Sequence, residues 1–212
     1  GIDFTGTLLT ANARLDGPVR ERLRDGTIRL LRCDWIASST SDAHLGRDHE
    51  GNVLIRRRQE MPDEAFFSPE EAAALFDRGD RSVLVLSYGW HTGPHSDPHG
   101  LTLKEIRRYL RSEPRTMGCA LFWDIASRPQ PEQTEDEVEI GNKALGVMSS
   151  FYASVTGTCV IQQKEVPPRA QYGAIYDGCI QLFGIAKELF EDGTGERLRE
   201  DFVKLNHSRW LS

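Results

Sequence analysis

Apolar and polar positions follow two regimes along the chain. Up to about residue 80 the pattern is irregular. Pro18 to Leu23 reads as a short helix, and Ile28 to Ile36 is apolar enough for a strand or a helix without deciding between them. Residues 38–52 (SSTSDAHLGRDHEGN) are polar and turn-rich, and predict an exposed loop. Arg56-Arg57-Arg58 is a short basic cluster. Ser68-Pro69-Glu70-Glu71 predicts a helix start: a serine cap, proline in the first turn and glutamate three residues after the cap. That helix runs to about Phe76 and stops in Arg78-Gly79-Asp80.

From residue 81 short buried runs alternate with helical periodicity. Val83-Leu84-Val85-Leu86 is the kind of run covered on both faces of a parallel sheet. A Gly/Pro/His loop (89–100) follows, then a helix from Leu101 to Leu110 with apolar residues at 103, 106 and 110. Residues 119–123 form a second buried strand that ends at Asp124. An acidic loop (132–139) leads into a helix whose stripe is Ile140, Ala144, Val147 and Phe151. Residues 158–161 read as a third strand, Pro167-Pro168 as a break, and 174–190 as a last helical segment ended by Gly193-Thr194-Gly195.

This alternation predicts an α/β fold: a parallel sheet with helices on both faces, joined by right-handed crossovers. The expected organisation is an irregular N-terminal extension, 1–80, packing on an α/β domain, 81–212. Ligands in such sheets sit beyond the carboxyl ends of the strands. That rule selects Ser87–Gly100, Asp124–Gln130 and Gln162–Pro168 before any motif is consulted.

Composition narrows the classes. With 39% hydrophobic and 27% charged residues, the 212-residue chain can bury a core and is not a disordered tail. A net charge of -6 argues against a nucleic-acid footprint. No apolar run approaches the roughly 18 residues of a membrane span, and no signal-peptide pattern opens the chain. Gly1 is not an initiator, so the sequence reads as a fragment or a processed chain. The four cysteines (33, 119, 159 and 179) lack CxxC spacing, and Cys119 and Cys159 lie in apolar runs. Buried free thiols in a reducing, cytoplasmic setting are the expectation.

Chemistry gathers at the strand ends. Ser87 and Tyr88 offer hydroxyls, Gly89 a close turn and Trp90 a flat face, which together suit a base and its ribose or phosphate. The competing reading makes Tyr88 and Trp90 core edges of a strand. Asp124, directly after an apolar strand, can accept from a ribose hydroxyl, and Arg128 can fork onto phosphate. A helix cap plus a surface arginine is the alternative. His91, His95, Asp97 and His99 are of metal-ligand type. Gly93, Pro94 and Pro98 put them on a loop without an established metal spacing, so a solvated loop is preferred and no metal is assigned. The chain has no P-loop, no GxGxxG and no GxSxG. The acidic run Glu132–Glu139 is more simply a solvated helix start than the seat of a general base.

Leu86-Ser87-Tyr88-Gly89-Trp90 resembles the "LSYxWG" opening of fungal heterokaryon-incompatibility (HET) domains. Phe122-Trp123-Asp124-Ile125-Ala126-Ser127-Arg128-Pro129-Gln130 is similar to their "WxDxxCINQ", and Glu139, Met148, Tyr152 and Ala153 to the "E…M…IY..A" helix that follows. HET domains belong with Toll/interleukin-1 receptor (TIR) domains, and the resemblance covers about residues 81–165. It implies a flavodoxin-like domain of signalling or cell-death type, which either assembles complexes or cleaves NAD at the nicotinamide–ribose bond. The implied ligand residues are Ser87, Tyr88, Trp90, Asp124, Ser127 and Arg128.

Cleavage in TIR-type domains uses a glutamate in W-C-x-x-E. Here Gly178-Cys179-Ile180-Gln181-Leu182 falls in that place, with Gly178 for the tryptophan and Leu182 for the glutamate. The carboxylate would then come from Glu139, Glu165 or Glu188, or the domain is a non-catalytic assembly module. If active, a desolvated carboxylate would stabilise the oxocarbenium-like centre as nicotinamide departs, with NAD as substrate rather than cofactor. The implied partners are a small nucleotide and further copies of the chain, with neither nucleic acid nor membrane. A metallohydrolase built on His91, His95 and Asp97 is a third reading.

Overall fold

A computed structural model describes residues 16–89, 96–154 and 157–163. The chain divides into two units. The first draws on Gly1–Ser87 and Gly100–Ile161, the second on Tyr88–His99 and Gln162–Ser212. In the second unit the described residues are Tyr88, Gly89, Ser96–His99, Gln162 and Gln163, of which Ser96 and Asp97 are buried.

The first unit begins with a helix through 16–24, α1, which contains the predicted Pro18–Leu23 turn. The undecided stretch 28–36 resolves into both options: a strand, β1 (Leu31–Arg32), and then a helix, α2 (Cys33–Ala37). Residues 38–52 are more structured than the expected loop. They hold a 3-10 turn (Ser39–Ala43) and an antiparallel pair formed by β2 (Gly46–Arg47) and β3 (Val53–Leu54), with Ser41 and Leu45 buried. The reason lies far along the chain. The buried Arg107 guanidinium donates to the Ile36 carbonyl (2.8 Å) and the Ser41 hydroxyl (2.8 Å) and pairs with Asp42 (2.6 Å).

Helix α3 (Pro69–Asp77) starts as its cap residues dictate. The Ser68 hydroxyl accepts from the Glu71 N–H, and the Glu71 carboxylate accepts from the Ser68 N–H. Strand β4 (Val83–Ser87) follows, then α4 (Leu101–Ser112), β5 (Ala120–Phe122) and a short helix α5 (Asp124–Ser127). Gly100 caps α4 with φ +66°, and a Cβ there would lie 2.2 Å from the Val53 carbonyl oxygen, so only glycine fits.

The acidic stretch belongs to a helix rather than a loop. Thr134 and Glu137 form a second capping box, so α6 (Glu135–Leu145) starts inside the predicted loop with three acids on its positive end. The expected single stripe is also divided: α6 stops at Gly146, and α7 (Met148–Ala153) carries Phe151. Strand β6 (Thr158–Gln162) ends the described chain.

Strands β1, β5, β4 and β6, in that order, make a four-stranded, mostly parallel sheet flanked by helices. β4 and β5 are parallel, with Val83 opposite Ala120 and Val85 opposite Phe122. β1 departs from the all-parallel expectation: it runs antiparallel to β5, with Leu31 opposite Leu121. Val83 through Leu86 and Ala120 through Phe122 are all buried, as a sheet covered on both faces requires.

On one face Val83, Val85, Ala120 and Phe122 meet α1, α3, α6 and α7, and Phe122 stacks on Phe151 at 4.8 Å. Nine of the sixteen buried residues in this cluster precede residue 80, so that segment supplies core as well as a strand. Gly157 lets β6 approach closely, since a Cβ there would lie 2.5 Å from the Phe76 ring. Cys33 is buried, and burial raises its thiol pKa. Cys119 and Cys159 are half-buried rather than core residues, because one precedes β5 and the other lies on edge strand β6. Among the described residues, no helix is long and apolar enough to cross a membrane.

Candidate functional site

Parallel pairing carries the carboxyl ends of β4 and β5 to one end of the sheet. The register sets Val85 opposite Phe122, and Ser87 and Asp124 each follow two residues further along their chains. Ser87 is half-buried at the end of β4, and Asp124 is buried at the first position of α5. One carboxylate oxygen of Asp124 accepts the Ile125 N–H at 2.7 Å, which orients it at the helix start.

Tyr152, on α7, reaches this end. Its hydroxyl donates to the Leu86 carbonyl at 3.0 Å, and its ring meets Phe122 edge-on at 6.5 Å. Burial pushes the phenol up to about 12, and the nearby Asp124 carboxylate adds to the shift. In the sequence Tyr152 stands out only as part of a helix motif, with nothing local to mark it as a neighbour of β4.

The loop after α5 is built from the inside. The Ser127 hydroxyl, expected to face a ligand, accepts the Trp123 N–H at 3.0 Å and is fully buried. It shapes the turn because the short helix leaves that N–H without a helical partner. Arg128 is half-buried. Its hydrogen bond is a long one, 3.5 Å, to the neighbouring Pro129 carbonyl, and its Nε is enclosed without a partner. No carboxylate among the described residues pairs with it. Gln130 is buried, and its side-chain amide donates to the Asp124 (2.8 Å) and Arg128 (3.2 Å) carbonyls.

Glu139 does not meet the requirement for a desolvated carboxylate. It is exposed on α6 and bound to Lys143 at 2.6 Å, and that contact holds its carboxyl below the usual range. An acid held ionised in water gains none of the strength that burial confers on a charge-stabilising group. Glu165, Glu188, Trp90, His91 and His95 lie outside the described residues. Tyr88 is half-buried and Asp97 fully buried, both in the second unit. Among the described residues, no group of three or more His, Cys, Asp or Glu is arranged to hold a metal ion.

The basic cluster 56–58 has a definite place that its sequence did not reveal. Arg58 donates to the Gly26 (2.8 Å), Thr27 (2.5 Å) and Ser127 (3.4 Å) carbonyls. Burial, with Arg29 nearby, pulls its guanidinium down to about 10. Arg57 bonds to the Pro131 carbonyl and to Glu132, both at 2.9 Å. A shallow cavity of about 310 Å³ is lined by Ala43, His44, Arg56, Gln59, Glu60, Met61 and Pro62, and contains none of the sequence-predicted site residues.

No protein-family model matches this chain, and neither does any curated protein or solved structure.

Proposed function

We propose that the chain is a TIR/HET-like, flavodoxin-like domain that binds an NAD-type nucleotide at the carboxyl ends of β4 and β5. The observation that carries this reading is Arg128: a half-buried guanidinium with an enclosed, partnerless Nε, four residues after the buried Asp124. Charge withdrawn from water without a partner is costly, and a phosphate forked onto that guanidinium would supply one. Asp124 would take a ribose hydroxyl, with Ser87 at the end of the neighbouring strand β4.

The reading is of binding first. Glu139 is an exposed ion-pair partner, so turnover would need Glu165 or Glu188. The role is that of a cytoplasmic signalling or cell-death module, with NAD as substrate if cleavage occurs. A specific observation favours assembly as a second reading: Val138 and Leu145, seven residues apart and so on one side of α6, are 44% and 51% exposed.

Calorimetry with ADP-ribose and NAD, with chromatography for released nicotinamide, tests the first reading. Saturable binding that Arg128→Ala weakens at least about tenfold is expected, the value of a charged hydrogen bond. No binding of either nucleotide at millimolar concentration overturns it. Light scattering across a concentration range, with Leu145→Glu as the variant, tests the second.

A further inference from the structure

Gln130 has two sets of partners. Inward, its side chain ties the Asp124 and Arg128 carbonyls together. Outward, its own backbone is gripped by one side chain from the N-terminal segment. The Gln59 Nε2 donates to the Gln130 carbonyl at 2.9 Å, and the Gln59 Oε1 accepts the Gln130 N–H at 3.2 Å. A primary amide carries one acceptor beside its donors, so it can answer both groups of a peptide at once, as a neighbouring strand would. Among the side chains asparagine alone shares this pairing, and it is one methylene shorter. The neighbours of Gln59 reach the same loop: Arg58 to the Ser127 carbonyl and Arg57 to the Pro131 carbonyl. Three successive residues, 57 to 59, thus hold three points of the loop that carries Asp124 and Arg128.

We propose that Gln59 is a positioning residue for the strand-end site, and that through it the N-terminal segment sets how firmly the Asp124–Gln130 loop presents Asp124 and Arg128 to a ligand. The consequence for affinity rests on the nucleotide reading above; the effect on the loop does not. Gln59 is exposed and lies outside the buried core, so the fold has little need of it. Its two bonds are instead spent on the backbone of a buried residue whose side chain joins the two ligand-facing positions.

The test uses the full chain, Gln59→Leu and Gln59→Glu, with amide hydrogen exchange and ADP-ribose calorimetry. Gln59→Leu is one atom shorter and removes both bonds; Gln59→Glu keeps the length and the acceptor for the Gln130 N–H. With Gln59→Leu, exchange over residues 124–130 should quicken by about tenfold, as the loss of two modest hydrogen bonds predicts. Exchange over 83–87 and the melting temperature should stay close to wild type, and ADP-ribose affinity should fall about three- to tenfold. Gln59→Glu should give a smaller change in each, the partial rescue that a structural defect would not show.

Unchanged exchange over 124–130 in Gln59→Leu overturns the proposal, whatever happens to binding. Quickened exchange in a protein that binds no ADP-ribose supports the positioning role and removes the nucleotide reading instead. If Gln59→Leu does not fold, Gln59→Glu carries the comparison, and failure of both to fold overturns the proposal by making Gln59 a folding residue.

Discussion

The loop after β5 and the first turns of α6 are neighbours in sequence and each holds an acid and a base at a spacing of four, yet the two pairs are opposite in environment. Asp124 and Arg128 are four residues apart, as are Glu139 and Lys143. The second pair stands in water as a helical ion pair with both partners satisfied. In the first, the carboxylate is buried against its own helix start, and the guanidinium is half-enclosed with its Nε unanswered. The comparison teaches that the acidic run, conspicuous in sequence, carries little chemistry, whereas the quieter loop carries a charge that no carboxylate among the described residues pairs. Burial supplies the difference, because a charge weakly screened by water is worth several times one on the surface.

The largest expected break comes from the lacing of that loop. Arg58→Ala strands the Gly26 and Thr27 carbonyls and removes one of the two donors to the Ser127 carbonyl, and should lower stability by about 3 kcal/mol in denaturant unfolding. A loss below about 1 kcal/mol would mean that water replaces the guanidinium and that the loop is not held from the N-terminal side. Next is Arg128→Ala. It should leave stability unchanged or slightly higher, since it removes a poorly paired charge, while costing ADP-ribose binding about 1.4 kcal/mol or more. A marked fall in melting temperature would assign the arginine to the fold and dissolve the contrast with Lys143.

Tyr152→Phe should cost up to about 1 kcal/mol through the lost bond to the Leu86 carbonyl. It also sharpens the electrostatics. A phenol raised to about 12 when folded and near its ordinary value of about 10 when unfolded favours the folded state fully below about pH 10. That contribution is lost as pH climbs from about 10 towards 12, because the unfolded chain releases the proton first. Ultraviolet titration should show a phenolate transition near 12 in the wild type that is lost in Tyr152→Phe. Smallest of all, Glu139→Gln should leave melting temperature and nucleotide binding unchanged, as exposed ion pairs usually do. A clear loss of nicotinamide release in Glu139→Gln would return that residue to the chemistry.

Much of the scaffold was legible. Ser68 with Glu71 announces α3, the run 83–86 announces a strand covered on both faces, and Leu103, Ile106 and Leu110 mark the buried side of α4. Each signal is local, and each element forms as its residues require. The segment before residue 80 was less legible. β1 contributes only two residues to the sheet, and the 3-10 turns carry no apolar period. For the candidate site, the strand-end rule leads to Ser87 and Asp124 as candidates, whereas the inward Ser127 hydroxyl and the Tyr152 bond to the Leu86 carbonyl come only from the fold.

The sequence by itself determined where α3 starts, that the runs 83–86 and 120–122 are buried, and that Asp124 follows a strand, because caps and hydrophobic periods act over a few residues. Tertiary structure alone decided that β1 runs antiparallel, that Arg58 and Gln59 clasp a loop about seventy residues away, and that Arg128 is half-buried while Glu139 is not. The physical reason is that a polar side chain takes its meaning from its partners and its access to water, and both are settled only when distant segments pack together.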